Sequence, residues 1–487
     1  MKVVGRPEKT FIIPTRTLFD LKYDSLEKKF KRKCRIVARG DIQKIFLGKK
    51  TKFSAPVASH VGLKLLLIYS FNCETLVQLD VKTAFLYGRL PQGKYFELPI
   101  GHPSKRGKEN VWYSECALYG LLEGANAWYF TICDKLTKMG FTPLVCEPCI
   151  FSKTIEQNDI KVLIYVDDIL VTGTVRLVEW VKRELEKDFK IKSTEDIEKY
   201  IGLNLFQLKE EDCIEINHTT KIKDTVLKWE LEKAKGVEFP ISITTDIEEE
   251  VLEDKKIYQS VVGSLNYITG GSRPDAMFAT NYFARRVQKA SKRLLKLAKN
   301  TLVYLRDTAE RKIKLYKLLE KGNRLVMYVD ASFATETKRR SVYGFLIYLN
   351  NSLIHYRSKT LPLIVLSSTE AEYVALCKGV QDLKWIKNIL KELKMSVMDT
   401  IVYCDSQPAI KMVESPVLNG RTKHVDLKLQ YIREAASRGE FKLEYIESKE
   451  NLADVLTKAV RGRQFTYLVN EIFNPGNCKV REGANSK

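Results

Sequence analysis

Apolar residues along the chain recur at two spacings, and each spacing predicts a type of secondary structure. Between residues 61 and 210, short apolar runs such as "VLIYV" alternate with stretches whose apolar residues lie three or four apart, which predicts a mixed α/β domain. From Tyr258 to Glu320 the helical spacing dominates, with lysine and arginine on the remaining face. A second α/β region follows, where "RLVMYVDA" and "TIVYCDSQ" predict strands and Ser367–Lys394 predicts a long helix.

These changes of spacing divide the chain into four parts. At 487 residues it is long enough for about two to four domains. We predict a domain over residues 1–235, a helical segment over residues 236–321, a second domain over residues 322–460 and a tail over residues 461–487. The expected fold class is multidomain α+β or α/β.

The charge of the chain indicates a polyanionic partner. Lys and Arg total 81 against 60 Asp and Glu, a formal net charge of +21, and such an excess binds phosphates by releasing their counterions. A basic protein with no such partner is the alternative, and the lysine-rich helical face would then be a solvated surface. No apolar run approaches the roughly 20 residues that span a membrane, and the N-terminus lacks the apolar core of a signal peptide. We therefore expect no membrane association and no secretion.

Three carboxylates stand at the ends of predicted strands in the first domain. Asp167 and Asp168 are adjacent between two apolar runs, with no glycine or asparagine to form an ordinary turn, and like charges beside apolar strands repel each other and resist desolvation. Asp80 ends a further apolar strand, where a single Asp is usually a cap or turn residue. If the two strands are neighbours in one sheet, Asp80 and Asp167 converge on an oxygen-rich site for two Mg²⁺ ions.

A second set of acids has similar contexts in residues 322–460. The segments "MYVDASF", "VYCDSQ" and "NLADVLTK" contribute Asp330, Asp405 and Asp454. A fourth acid comes from "LSSTEAEYVAL", which offers Glu370 and Glu372; residues two apart on a helix point in different directions, so only one of them can face a metal. Ser367 and Glu370 fit a capping box, which leaves Glu372 for the metal. Taken singly, each acid is an ordinary surface or cap residue.

Together the motifs resemble one known family. "YVDD" inside an apolar hairpin is the signature of reverse transcriptases, and "DVKTAFLYG", "ALYGLLEGANAWY", "YVDDILVTG" and "VVGSLNYITGGSRPDAMFATNYFAR" resemble segments of the pol polyprotein of copia-type LTR retrotransposons. The resemblance extends from about Leu18 to Lys458. It implies a right-hand polymerase: residues 1–235 would be fingers, palm and the start of the thumb, beginning inside the fingers, residues 236–321 the helical thumb and connection, and residues 322–460 an RNase H-like mixed-sheet domain.

The resemblance implies a role for each acid. Asp80 and Asp167 would hold two Mg²⁺ ions, or Mn²⁺ in their place, with Asp168 the more peripheral carboxylate. The order Asp–Glu–Asp–Asp resembles RNase H and implies a second two-metal site, formed by Asp330, Glu372, Asp405 and Asp454. The implied partners are an RNA template, a DNA primer, the RNA–DNA hybrid and dNTPs. The implied location is the cytoplasm, in the cytosol or a virus-like particle, with the nucleus as an alternative.

Four further residues match nucleotide-binding positions of the family. Phe85 matches the steric gate that excludes a ribose 2′-hydroxyl, although an ordinary core position is the alternative. Lys33 and Arg35 match a fingers strand whose cations clamp the triphosphate, a role that suits the donor fork of arginine. Glu123 stands where the family has a glutamine beside the incoming nucleotide, so it would bring a negative charge near the triphosphate.

Three functions remain open on the sequence alone. The first is an RNA-directed DNA polymerase with RNase H activity. The second is a catalytically inactive or domesticated relic that binds nucleic acid, which Glu123 and the start inside the fingers would favour. The third is a template-directed RNA polymerase, which also places paired Asp on a hairpin but explains neither the RNase H pattern nor Phe85. No histidine precedes Asp454 as in many RNases H, and His424 has no assigned role.

Overall fold

The chain forms two compact units. The computed structural model describes residues 1–24, 29–48, 53–105, 109–242, 251–333, 339–414 and 426–475; His424 therefore lies outside the described residues. One unit comprises Met1–Ser59 and Cys73–Asp196, and the other comprises His60–Asn72 and Ile197–Lys487.

Helices and strands alternate through both units. The helices are α1 Gly40–Leu47, α2 His60–Ser70, α3 Gly124–Lys138, α4 Val175–Glu186, α5 Thr219–Lys228, α6 Lys256–Gly271, α7 Met277–Ala284, α8 Lys292–Asp307, α9 Ser368–Glu392, α10 Gln407–Glu414, α11 Asp426–Ser437 and α12 Gly462–Phe473. The strands are β1 Lys2–Gly5, β2 Thr15–Asp24, β3 Lys29–Ala38, β4 Thr75–Val81, β5 Arg89–Glu97, β6 Asn110–Cys116, β7 Thr142–Pro143, β8 Ile150–Ile155, β9 Asn158–Tyr165, β10 Asp168–Gly173, β11 Ile191–Thr194, β12 Lys199–Tyr200, β13 Leu203–Leu208, β14 Cys213–Asn217, β15 Ile313–Tyr316, β16 Arg324–Ser332, β17 Val342–Leu349, β18 Ser352–Thr360, β19 Asp399–Cys404 and β20 Lys442–Tyr445. The predicted mixed α/β content is confirmed. None of the described helices combines the length and the apolar character needed to cross a membrane.

The first unit is built on a six-stranded sheet with the order β11-β4-β10-β9-β8-β7. Its apolar strand residues pack with α3 and α4 into one core. In α4 the buried residues Leu177, Val178, Val181 and Leu185 fall on one stripe of the helix, as the three-and-four spacing requires. The Thr174 side chain caps this helix by accepting the Leu177 N–H. A three-stranded sheet, β1-β6-β5, and the hairpin β2-β3 complete the unit.

The second unit contains two sheets and most of the helices. A four-stranded sheet has the order β12-β13-β14-β15, and a five-stranded sheet has the order β18-β17-β16-β19-β20. In the five-stranded sheet, β16 pairs antiparallel with β17 and parallel with β19, so the carboxyl ends of β16 and β19 meet at one edge. The long helix α9 packs on β16, and its apolar stripe, including Leu383 and Ile386, is buried.

A buried ion pair holds the helical part of the second unit together. Arg273 and Asp275 lie 2.7 Å apart with both side chains fully buried. Asp275 also accepts the Tyr304 hydroxyl at 2.6 Å and an Arg311 N–H at 2.9 Å, and the neighbouring guanidinium groups hold the pKa of Asp275 at about 2 although burial opposes this. Because the buried charges are fully hydrogen-bonded, removal of one partner would leave the other buried and unpaired.

Candidate active sites

The sheet of the first unit brings the predicted acids of "YVDD" beside Asp80. Strands β4 and β10 are antiparallel, and Asp168 lies directly opposite Asp80, so the two side chains share one face of the sheet. Asp168 also pairs with Tyr165 of β9, which leaves Val166 and Asp167 as a two-residue turn. The carboxylates therefore meet at one end of the sheet, as expected if the two strands are neighbours.

The turn adopts a strained backbone that its surroundings hold in place. Val166 has φ of +56°, a conformation that β-branched residues rarely adopt and that costs about 1–3 kcal/mol. Its carbonyl oxygen accepts a hydrogen bond from the indole N–H of the buried Trp128, and the Asp167 carbonyl oxygen accepts the Val81 N–H at 2.9 Å. These bonds explain how the turn forms without glycine or asparagine.

The carboxylates of this turn are destabilised as anions. Burial raises the pKa of Asp167, and the charge of Asp80 raises it further. Burial also raises the pKa of Asp168. The Gln78 side chain donates a hydrogen bond to Asp168 Oδ1 at 3.0 Å, which partly lowers that pKa again. A hard cation between these oxygens would remove the penalty, so the donor set fits Mg²⁺. As the side chains stand, the oxygens of the three acids do not all lie within 4.8 Å of one another.

A cavity of ≈ 550 Å³ opens on two of these acids. Asp80 and Asp167 line it together with Lys33, Arg35 and Tyr119. Lys33 and Arg35 come from β3, where Arg35 also lies 3.9 Å from Asp20. The structure thus brings the predicted phosphate-binding cations to the same cavity as the predicted metal ligands. Tyr119 was missed by the sequence analysis, since nothing in "ALYGLLEG" separates it from a core tyrosine.

Phe85 lies next to this cavity rather than in its wall. It belongs to a 3₁₀ turn, Ala84–Tyr87, and packs half-buried against the core of the unit. Its ring meets the Tyr119 ring edge-on, with 4.8 Å between centroids. Leu86 and Tyr119 belong to the cavity wall, so Phe85 contacts the wall through Tyr119 without forming part of it.

Glu123 is engaged in a local network. Its carboxylate lies 3.4 Å from Lys94 Nζ and accepts an N–H from the Gln43 side chain at 2.7 Å. Gln43 is buried and its Oε1 accepts the Leu122 N–H at 3.1 Å. The cation and the amide balance the charge of Glu123, which is not among the residues lining the cavity. The structure therefore does not bring it together with the acids.

The four predicted acids of the second unit converge at the edge where β16 and β19 end. Asp330 lies on β16, Asp405 directly follows β19, and Asp454 lies in the 3₁₀ turn Leu452–Leu456. The ligand oxygens of these three residues lie within 4.8 Å of one another. Glu372 of α9 joins Asp405 in a second such group, whose third member is Cys404. The structure thus brings all four acids together.

The start of α9 separates the roles of the two glutamates. Ser367 caps the helix by accepting the Glu370 N–H at 3.1 Å. The Glu370 carboxylate accepts the Leu366 N–H at 2.6 Å, one residue before the cap. Glu370 is thereby used in the cap, and Glu372, two residues on, faces the acids.

Burial disfavours the ionised form of the carboxyl groups in this second cluster. Burial and then the charges of Asp330 and Asp405 raise the pKa of Glu372 well above its usual range, and burial with the charge of Asp330 raises the pKa of Asp454 to about 7. Glu372 Oε2 is buried and has no hydrogen-bond partner among the described residues. An orphaned carboxylate oxygen beside three further acids fits a divalent cation.

Two neighbours of this cluster were missed by the sequence analysis. Lys458 Nζ lies 2.8 Å from Asp454 Oδ1 and 3.7 Å from Asp330 Oδ2. The Thr457 hydroxyl donates to Asp330. The signal available was the spacing: Lys458 lies four residues after Asp454, a spacing that allows side chains to meet on a helical turn.

The comparisons with known proteins place the chain among reverse transcriptases. Residues 1–243 match the family model described as reverse transcriptase (RNA-dependent DNA polymerase). The chain is 30% identical over 479 residues to the retrovirus-related Pol polyprotein from transposon TNT 1-94 of Nicotiana tabacum, covering 95% of this chain and 36% of that protein. It is 29% identical to that from transposon RE2 of Arabidopsis thaliana, covering 97% and 33%. The chain thus spans about a third of the length of these relatives.

Among solved structures, similar chains include a foamy viral protease-reverse transcriptase in complex with RNA/DNA hybrid and LC11-RNase H1 in complex with RNA/DNA hybrid. The first is 13% identical with a TM-score of 0.49, covering 95% of this chain and 53% of that chain. The second is 20% identical with a TM-score of 0.22, covering 27% and 93%. The family match over residues 1–243 and the sequence similarity over nearly the whole length show that the chain belongs to the reverse transcriptase family, within the Pol polyproteins of copia-type retrotransposons.

Proposed function

We propose that the chain is an RNA-directed DNA polymerase with ribonuclease H activity. The observation that carries the proposal is the antiparallel register of β4 and β10, which sets Asp168 opposite Asp80. Asp167 then lines a cavity together with Lys33 and Arg35. Its substrates would be dNTPs, an RNA template and a DNA primer. In this proposal residues 1–235 are fingers, palm and the start of the thumb, residues 236–321 the thumb and connection, and residues 322–460 the nuclease.

In the polymerase reaction, the primer 3′-hydroxyl attacks the α-phosphate of a dNTP and pyrophosphate leaves. Two Mg²⁺ ions, or Mn²⁺, would activate the hydroxyl and stabilise the leaving group, with Asp80 and Asp167 as ligands and Asp168 outside them. Arg35 and Lys33 would neutralise the triphosphate, for which the guanidinium offers paired donors. Phe85, braced against Tyr119, would set the space left for the sugar.

In the nuclease reaction, water attacks a phosphate of the RNA strand in a hybrid, and the 3′-oxygen of the preceding nucleotide leaves. Asp330, Glu372, Asp405 and Asp454 would hold the two divalent ions there. The hybrid would be recognised by its shape and its 2′-hydroxyls rather than by base edges. A single chain would then copy RNA and remove the copied template.

Primer extension tests the proposal. We expect the natural chain to extend oligo(dT) on poly(rA) with Mg²⁺, and Asp167→Asn to lose about 100-fold or more of the rate, the equivalent of about 3 kcal/mol of transition-state stabilisation. The matched control is Asp134→Asn, because Asp134 lies on α3 of the same unit with its side chain 64% exposed; it should keep the natural rate. Absence of synthesis by the natural chain, with hybrid binding intact, would support the inactive relic instead.

Nucleotide selection separates this function from an RNA polymerase. If Phe85 limits the sugar space, the natural chain should incorporate dNTPs and reject rNTPs, and Phe85→Val should admit rNTPs because the smaller side chain leaves room for the 2′-hydroxyl. The measurement is the ratio of kcat/KM for dTTP and UTP. Equal use of both by the natural chain would refute the role of Phe85.

A further inference from the structure

The acidic cluster of the second unit contains a thiol. Two groups of ligand atoms overlap there and share Asp405: one is all oxygen, with Asp330 and Asp454, and the other joins Glu372 to Cys404. Within each group the ligand atoms lie within 4.8 Å of one another. Oxygen donors suit Mg²⁺, whereas a cysteine sulfur selects thiophilic cations such as Zn²⁺.

The fold points the thiol toward the helix side of the sheet. Cys404 ends β19 and pairs in register with Val329 of β16. Met327, two residues before Val329 and therefore on the same face, lies against α9 at Gly379. Since Glu372 also belongs to α9, Cys404 and Glu372 approach Asp405 from this side of the sheet.

Two observations indicate that these side chains are arranged for a ligand. Glu372 is only 8% exposed, and its Oε2 has no hydrogen-bond partner in the described part of the chain. Cys404 is fully buried, and its sulfur lies in one group of ligand atoms with the carboxylates of Glu372 and Asp405. In a tetrahedral Zn²⁺ site, sulfur and oxygen ligands lie about 3.5 Å apart, so rotation of the two carboxylates would close the group around an ion.

We propose that Glu372, Cys404 and Asp405 form a site for a thiophilic divalent cation, Zn²⁺, which inhibits the nuclease. On binding, the thiol releases its proton to solvent and a Zn–S bond forms. The ion takes two carboxylates that the Mg²⁺ ions of the nuclease would need, so Zn²⁺ and Mg²⁺ compete. The inhibition rests on the proposed nuclease function, whereas the binding of the ion does not.

Cobalt absorption tests the binding. Co²⁺ titrated into the reduced, full-length chain should give a thiolate-to-metal charge-transfer band in the near ultraviolet, and Cys404→Ser should abolish it. Cys377→Ser is the matched control, because Cys377 is also buried in the second unit but lies outside both ligand groups; it should keep the band. Glu372→Gln keeps the thiol and should weaken Co²⁺ binding by about tenfold or more. No band in the natural chain, or a band that survives in Cys404→Ser, would overturn the site.

Zinc titration tests the inhibition. With Mg²⁺ in excess and each variant referred to its own rate without Zn²⁺, Cys404→Ser should need about tenfold more Zn²⁺ than the natural chain for half-inhibition of hybrid cleavage. Equal Zn²⁺ sensitivity of the two chains would refute the inhibitory role. If the natural chain does not cleave the hybrid with Mg²⁺ alone, the nuclease function fails, and the cobalt band still decides whether the cation site exists.

Discussion

At the scale of single residues, Lys64 shows what the fold imposes on a charged side chain. Lys64 lies on α2 and is 1% exposed. Its Nζ donates to the Leu353 carbonyl oxygen at 3.2 Å and lies 5.2 Å from the centre of the Tyr356 ring. Burial lowers the pKa of this lysine from 10.5 to about 7, because a buried ammonium loses its hydration.

This shift makes the stability of the second unit depend on pH. Between pH 7 and about 10.5 the unfolded chain binds more protons at Lys64 than the folded chain, so the free energy of unfolding rises with pH, by at most about 1.4 kcal/mol per unit. Below pH 7 Lys64 is protonated in both the folded and the unfolded state, so the free-energy cost of burying its ammonium no longer changes with pH. Lys64→Met should therefore stabilise the protein at pH 7 and flatten this slope, as measured by thermal denaturation at several pH values.

The control for this prediction is a lysine on the surface of the same unit. Lys296 on α8 is exposed, so Lys296→Met should leave both the stability at pH 7 and the pH slope close to those of the natural chain. A Lys64→Met protein less stable than the natural one at pH 7 would show that the ammonium contributes more than its burial costs.

At the scale of elements, two glycines join β3 and α1 to the segment before α3. A Cβ on Gly40 would lie 2.2 Å from the Gly120 carbonyl oxygen, and a Cβ on Gly120 would lie 2.4 Å from the Ala38 carbonyl oxygen. The Ala38 N–H also donates to the Tyr119 carbonyl oxygen at 2.7 Å. Backbone therefore packs on backbone here, and this packing sets β3, with Arg35, beside Tyr119 at the cavity.

Substitution of Gly40 tests this junction. Gly40→Ala should force the two segments apart, lower the free energy of unfolding by about 1–3 kcal/mol and raise KM for dNTP more than it lowers kcat, because Arg35 moves while the acids stay. Gly5→Ala is the matched control: Gly5 lies on β1 of the same unit, and its Cβ would meet nothing within 4 Å. Equal KM values for Gly40→Ala and the natural chain would contradict the positioning role of the junction.

At the scale of the whole molecule, the two acidic clusters belong to different units with separate sheets and cores. Asp80 and Asp167 depend on the register of β4 and β10 in the first unit. Asp330 and Asp405 depend on the parallel pairing of β16 and β19 in the second. Neither cluster draws a carboxylate from the other unit, so the two chemistries should be separable.

Paired substitutions test that separation. Asp405→Asn should abolish cleavage of an RNA–DNA hybrid and leave primer extension nearly unchanged, and Asp167→Asn should do the reverse, because each substitution removes a carboxylate from one cluster only. Both variants should bind the hybrid with the same steep salt dependence, since binding by a chain of net charge +21 is governed by phosphate contacts. Loss of both activities in either variant would disprove independent sites.

The sequence alone determined the features that depend on local spacing and residue type. Short apolar runs located β10 and β16, the helical spacing located α9, and the capping box separated Glu370 from Glu372, because apolar runs, helix period and caps are set within a few residues. The adjacent acids of the first cluster were also recognisable, since two carboxylates beside apolar strands need compensation that the local sequence does not supply. The acids of the second cluster were assigned by their resemblance to RNase H.

Only the tertiary structure decided which distant side chains meet. No local sequence pattern indicates these contacts: Cys404 lies beside Glu372, Glu123 pairs with Lys94, Tyr119 meets Phe85, and Lys64 is buried against Leu353. Lys64 and Leu353 are 289 residues apart in the sequence, and α2 joins the second unit although the chain on either side of it belongs to the first. Such contacts depend on how sheets and helices pack, because burial and its effect on charge are properties of the assembled core rather than of neighbouring residues.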